Sequence, residues 1–172
     1  MATFLERKIS NSSNIYNYDY YMNSAAYGNM SLLRQTSNWN QSFQSVYLKL
    51  VPNLQIENNP NDAMSLLPYE RGFQFLHFLE ETISPSLFQK FITDFYKNNS
   101  KKSTNSIMFK FSLKEFCDVN QISSKFSELD IDSWYNDPFP SKLKNISFPA
   151  PSLKEAEDLA LAFVKSTSIP AA

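Results

Sequence analysis

The residues best placed to do chemistry lie in one run, LLPYERGFQFLHFLEE, residues 66–81. Within it Tyr69 supplies a phenol, a neutral hydrogen-bond donor. Read by itself, Pro68-Tyr69 is the turn that starts a helix, with a half-buried tyrosine. Gly72, one of only two glycines in the chain, is placed where a backbone without a Cβ would let an extended approach turn into a buried helix. His77 is the only histidine. Inside so apolar a segment it reads as a packed or partly solvated helix residue. The single cysteine, Cys117, excludes an internal disulfide and fits a reducing compartment.

The elements that must position these groups can be read from periodicity and breakers. Residues 70–83 form the clearest helix: Phe73, Leu76 and Ile83 share one side, with Phe75, Phe78 and Leu79 filling in an arc wide enough for burial on most faces. Ser84-Pro85 ends it and begins the next, serine as N-cap and proline in the first turn. Leu87, Phe91 and Phe95, flanked by Phe88 and Ile92, mark that helix's inner face to about Tyr96. Residues 97–106 read as a polar loop. Ser112 and Glu115 have the spacing of a capping box ahead of Phe116 and Val119, and a short helix is expected over 122–129. Upstream, residues 3–9 form an amphipathic helix, Tyr16, Tyr18, Tyr20 and Tyr21 resist assignment, and Leu32-Leu33 belong to a second helix reaching toward Trp39. The run VYLKLVPNLQI, residues 46–56, could be mistaken for a strand, though Pro52 would demote it to an edge. Residues 58–62 are a turn in which Asp62 can cap the next element. Pro138, Pro140, Pro149 and Pro151 punctuate a linker. Ser152 and Glu155 then form a second capping box before a final helix with Leu153, Ala156, Leu159, Ala160 and Phe163 on one face.

At 172 residues with 42% hydrophobic and 15% aromatic content, the chain is long and apolar enough for one real core. A net charge of -1 gives no electrostatic case for nucleic acid or an anionic membrane. No run approaches the roughly 18 apolar residues of a membrane span, and MATFLERKIS lacks the apolar block and cleavage site of a signal peptide. The expectation is a cytoplasmic chain. Asn11-Ser12-Ser13 fits the glycosylation acceptor pattern, a tripeptide too common to carry weight alone.

The stretch PNDAMSLLPYERGFQFLHFLEE resembles a segment of the gluzincin zinc aminopeptidases, peptidase family M1, and within them the leukotriene A-4 hydrolase type. There it runs Asp-Pro-Asp-x-Ala-(aromatic)-Ser-x-Val-Pro-Tyr-Glu-Lys-Gly before an apolar helix. ATFLERKI is similar to the family's Thr-Val-Tyr-Leu-Glu-Arg helix, FQKFITDFYKNNSKKS to the helix and loop after the tyrosine motif, and DIDSWYNDPFPS to the Trp-x-x-x-Pro-Gly-x-Pro stretch that closes the catalytic domain. The likeness covers nearly the whole chain, strongest around Tyr69 and weakest over residues 10–50.

The resemblance implies a mainly α fold: the helical C-terminal half of a thermolysin-like catalytic domain over 1–135, a Pro-rich linker over 136–151, and the first helix of a truncated helical domain over 152–172. It implies a zinc metallo-aminopeptidase ancestry, in which the motif tyrosine donates its hydroxyl to the oxyanion formed when zinc-bound water attacks the peptide carbonyl. Tyr69 is the matching residue, and one such bond is worth about 3–4 kcal/mol. By the same resemblance Glu6, Asn61, Met64, Arg71 and Gly72 fall beside the substrate channel or just behind it. Asn59 and Asn61 replace the acids of Asp-Pro-Asp, Met64 stands where an aromatic is usual, Arg71 keeps the cation of the motif lysine, and Phe139 takes the glycine position of Pro-Gly.

Zinc is the family's cofactor, held by His-Glu-x-x-His and a later glutamate in an Asn-Glu-Gly context; two histidines one helical turn apart face the same metal, and the glutamate between them is the general base. This sequence contains no such motif, and Met1 falls just after the position of the third ligand. The expectation is therefore no metal ligand set and no cofactor in this chain, and no peptidase activity for it in isolation. A peptide would be its substrate only with the zinc-binding half supplied. Two other readings are a non-enzymatic helical interaction module or relic of the same scaffold, associating through exposed apolar faces such as that of 153–163, and an unrelated small helical protein.

Overall fold

The computed structural model describes residues 1–12, 18–52, 54 and 59–166. The described residues are helical, with no strand among them. In chain order they form α1 (Ala2–Ser12), α2 (Tyr18–Thr36), α3 (Gln41–Tyr47), a 3₁₀ turn (Pro60–Ala63), α4 (Leu67–Ile83), α5 (Pro85–Asn98), α6 (Ser106–Val119), α7 (Ser123–Glu128), α8 (Ile131–Asn136), a second 3₁₀ turn (Leu143–Asn145) and α9 (Pro151–Ser166).

Helix α4 is the axis of the fold, with α1, α2 and α5 packed around it. Its sequence explains why: from Gly72 to Ile83 most positions are buried, apolar and polar alike, and Leu67, Glu70 and Arg71 of its first turns are buried as well. A helix that apolar gains stability only by being surrounded. Phe73, Leu79 and Ile83 meet Phe4 of α1, Tyr21 and Ala25 of α2, Phe88 and Phe91 of α5, Leu113 of α6 and Trp134 of α8 in one core. Aromatic rings carry much of it. Phe75 lies 5.5 Å from Trp134, and Phe109 lies 5.4 Å from Phe91 and 5.3 Å from Phe95, separations at which edge and tilted contacts are favourable. Each fully buried ring adds about 1.5–3 kcal/mol over leaving it in water.

Several local expectations are corrected. Val46 and Tyr47 end helix α3 rather than start a strand. Asn40 caps that helix by accepting from the Phe43 amide at 2.9 Å, and Phe43 packs between Trp39, edge-on at 4.9 Å, and Tyr47, tilted at 4.4 Å. Local capping and ring packing outweigh the β-branched composition beyond them; residues 53 and 55–58 of that run lie outside the described residues. Tyr18, Tyr20 and Tyr21 belong to α2, whereas Tyr16 lies outside. Helix α6 begins at Ser106, capped by Asn105, so Ser112 sits mid-helix and no capping box forms with Glu115. Helix α9 starts at Pro151, placing Ser152 inside its first turn. Asp62 lies inside the first 3₁₀ turn, which Asn59 caps by accepting from the Asn61 amide at 3.0 Å, and α4, the helix that follows, has no side-chain cap. Ser84 does join α4 to α5, but its φ of 120° leaves its side chain without a capping bond; Pro85, which has no N–H to satisfy, starts α5 regardless.

Between α8 and α9 the proline-punctuated segment lies on the core. Leu143, Ile146 and Phe148 pack against it, and the Phe148 ring lies 5.5 Å from Phe73 and 5.3 Å from His77. Beyond it α9 runs beside α2, bridged by Arg34 and Glu157 at 3.7 Å, with none of its residues buried.

Candidate functional site

Tyr69 occupies the first turn of α4. Two short contacts fix that turn: the Leu67 amide donates to Ser65 Oγ at 3.2 Å, and the Leu66 amide donates to Gln35 Oε1 at 2.8 Å, tying the helix start to α2. With Pro68 in the turn and the backbone so held, the phenol points outward, 59% exposed. It stands between two open depressions. One, of about 390 Å³, is shared with Thr3, Glu6, Ser10, Tyr20 and Ser24. The other, of about 400 Å³, is shared with Gln35, Ala63 and Met64. A phenol on such a divide offers a neutral donor to a group lying in either hollow.

The structure thus brings Glu6 and Met64 to Tyr69, one on each side. It does not bring the other three. Asn61 is exposed in the 3₁₀ turn and lines neither hollow, its carbonyl accepting from the Met64 amide at 3.0 Å. Gly72 lies within α4 and has no positive φ. A Cβ there would meet only Leu50 Cδ1 at an ordinary 3.9 Å. The expected need for a bare backbone at the bend is therefore not met: the helix already began at Leu67.

Arg71 is buried to 5% exposure, and its Nε and Nη1 have no hydrogen-bond partner among the described residues. Loss of hydration pushes its pKa down to about 10, since burial penalises the charged form.

Sequence reasoning passed over the pair that holds this corner together. Arg7 of α1 donates to both carboxylate oxygens of Glu70, Nη1 to Oε2 and Nη2 to Oε1, each at 3.0 Å. Both side chains are buried, and the Arg7 guanidinium lies 4.3 Å above the Phe73 ring. The remaining glycine makes room for them. A Cβ on Gly28 of α2 would fall 2.0 Å from Glu70 Oε2 and 2.7 Å from Arg7 Nη2. Three helices therefore converge on one bidentate ion pair, a geometry in which planar guanidinium and carboxylate match. Because Glu70 follows Tyr69 directly, the pair anchors the helical turn that carries the phenol. The only available sequence signal was an arginine on the inner face of α1; its partner is 63 residues away.

His77 lies further along α4. Its Nδ1 is 3.1 Å from the Tyr21 hydroxyl, and its ring stacks on Phe73 at 5.9 Å and 10°. Burial lowers its pKa below the ordinary value, with Lys8 adding to the effect and Glu81 opposing it.

Residues 1–134 match the family model of the peptidase family M1 domain. The chain belongs to peptidase family M1. Leucine aminopeptidase 2 of Aspergillus clavatus is 32% identical over 138 residues, covering 80% of this chain and 22% of that protein. The leukotriene A-4 hydrolase homolog of Botryotinia fuckeliana is 39% identical over 98 residues, 56% of this chain and 15% of the relative. In three dimensions the chain is similar to native leukotriene A4 hydrolase from Saccharomyces cerevisiae, with a TM-score of 0.75 and 27% identity over 89% of this chain and 23% of that one. This M1 chain spans about a fifth of the length of these relatives.

Family M1 is a zinc family, and the residues present do not fit its zinc cage. The chain has a single histidine, and it sits with Phe73, Tyr21 and Phe148, not in either hollow beside Tyr69. Around the phenol the donor set reduces to the Glu6 carboxylate, hydroxyls and the ion-paired Glu70. Two imidazoles and a carboxylate, which a tetrahedral aminopeptidase zinc requires, cannot be drawn from it.

Proposed function

We propose that these residues form the oxyanion-stabilising side of an aminopeptidase active site of the leukotriene A-4 hydrolase type, which removes N-terminal residues from peptides. Tyr69 is the catalytic residue. Its hydroxyl would donate to the oxygen on which negative charge develops as the scissile carbonyl is attacked, a contact that strengthens in the transition state and so raises kcat. Arg7 and Glu70 are positioning residues, acting through the backbone of α4. Glu6 and Met64, on either side of the phenol, would border the substrate.

One observation carries this reading: the tyrosine at the family's motif position stands exposed on a divide between two open hollows, on a helix start clamped to α1 and α2. The same residues furnish no His-Glu-x-x-His, so the nucleophile has to come from outside these 172 residues, and the isolated chain is expected to be inactive. No helix of the described residues is long and apolar enough to cross a membrane. The single cysteine favours a cytoplasmic setting, and the net charge of -1 argues against nucleic acid as partner.

The test is a chimera in which these residues replace the matching segment of Aspergillus leucine aminopeptidase 2. Turnover of an aminoacyl-anilide is expected from the chimera and not from the chain alone. Tyr69→Phe in the chimera should lower kcat about a hundred- to a thousandfold with little change in KM. Chelator-sensitive turnover by the isolated chain would overturn the division of labour, and an unaffected Tyr69→Phe chimera would overturn the role of the phenol.

A second reading, a non-enzymatic interaction module, is favoured by a different observation. Ile107 and Phe111 of α6 and Leu159 and Leu161 of α9 are each more than half exposed, and faces of that kind associate. A monodisperse monomer in light scattering would count against it.

A further inference from the structure

The chain's one histidine keeps unusual company. His77, Glu80 and Glu81 lie at positions i, i+3 and i+4 of α4, on one stripe of the helix. Each offers a ligand atom, and these atoms all lie within 4.8 Å of one another. Glu80 is 6% exposed, and its Oε2 is buried with no hydrogen bond. What faces it is a cation: Lys8 Nζ of α1 lies 2.5 Å from that oxygen, close enough to be an ion pair but not aligned as a hydrogen bond. Lys8 itself is partly exposed and rests against the Phe4 and Tyr21 rings at 5.6 and 5.3 Å, so it can swing away. Glu81 is exposed and leaves the cluster open to solvent on one side.

The imidazole is held as metal-binding imidazoles are. Phe73 and Phe148 fix the plane of its ring, and Nδ1 meets the Tyr21 hydroxyl at 3.1 Å. In the tautomer that donates Nδ1–H to that oxygen, Nε2 keeps its lone pair. A partner on the second nitrogen that orients the ring and sets the tautomer is the usual support of a histidine ligand.

We propose that His77, Glu80 and Glu81 form a binding site for a divalent transition-metal cation of the zinc class, with Lys8 as its built-in competitor. One imidazole and two carboxylates are a donor set suited to zinc, with water completing the coordination sphere. The site lies toward the C-terminal half of α4, away from Tyr69, and does not rest on the peptidase reading. In the metal-free chain the Lys8 ammonium supplies the positive charge that the buried Glu80 carboxylate requires; metal binding would release it.

The experiment is titration of the chelator-treated chain with Zn2+ by calorimetry, and with Co2+ by visible absorption, which reports the donor atoms directly. The wild-type chain is expected to bind with single-site stoichiometry. His77→Phe, which keeps a ring between Phe73 and Phe148, should abolish the Co2+ band. Tyr21→Phe should weaken binding roughly ten- to a hundredfold, and Lys8→Met should tighten it. Glu81→Gln, at an exposed position that leaves folding intact, should weaken it. Absence of binding by the wild-type chain overturns the proposal, as does an affinity unchanged in His77→Phe or in Glu81→Gln.

Discussion

Two buried arginines of this M1 chain invite comparison. Arg7 and Arg71 are almost equally hidden from water, at 9% and 5% exposure. Arg7 has both oxygens of Glu70, the face of Phe73 and a glycine cut away to admit the pair. Arg71 has two nitrogens with no acceptor among the described residues and a pKa pushed down to about 10. Burial alone therefore says nothing about whether a charge stabilises a fold. A paired guanidinium fixes three helices to one another; an unpaired one costs free energy that the surrounding core must offset.

The largest way to break the comparison is Arg7→Met. It leaves Glu70 buried without a counter-ion, and urea denaturation should show a loss of about 3–5 kcal/mol. The mirror experiment, Arg71→Met, is expected to raise stability by about 1–3 kcal/mol, because it removes unsatisfied donors and keeps the apolar stem; a loss of stability there would mean that Arg71 has a partner. Gly28→Ala should cost about 1–3 kcal/mol, since the new methyl overlaps a carboxylate that is pinned by Arg7. In an Arg7→Met background Glu70 is free to move, so most of that cost should vanish. This non-additivity, measured as a double-mutant cycle, sharpens the claim that Gly28 exists for the ion pair.

The smallest effect expected is on pH dependence. His77 titrates below its ordinary 6.5 in the folded chain, chiefly through burial, so the unfolded chain takes up a proton first as pH falls. Its contribution is complete above 6.5 and declines as pH drops through that value toward the folded pKa. His77→Phe should flatten that part of the stability profile, whereas Arg71→Met should leave it unchanged.

The parts of this molecule that could be read in advance are those written locally. The apolar arc of α4 needed only a run of neighbouring residues and falls within the expected 70–83, although the helix itself begins three residues earlier, at Leu67. Local decoys misled elsewhere. Ser112 and Glu115 have capping spacing, yet α6 had begun at Ser106, because Asn105 caps it and its exposed Ile107 and Phe111 blur the polar face that would have marked the helix. The Val46–Tyr47 pair could be mistaken for a strand because composition was visible and the ring packing of Trp39, Phe43 and Tyr47 was not. The Arg7–Glu70 pair is invisible for a different reason: its partners belong to separate helices, and no local pattern links them. The two glycines make the same point. Gly72, in the motif, has ordinary helical backbone with space around it, whereas a side chain at Gly28 would displace the ion pair.

The Pro-rich segment after α8 has a consequence of its own. Phe148 lies over the same imidazole that stacks on Phe73, so this stretch is a strap across α4, and its hold is reported by a titratable ring. A protease nick anywhere between 137 and 147 would loosen the strap and let solvent reach His77. Its proton NMR titration would then move back toward that of a free histidine, turning an otherwise silent backbone cleavage into a chemical-shift signal at the centre of the fold.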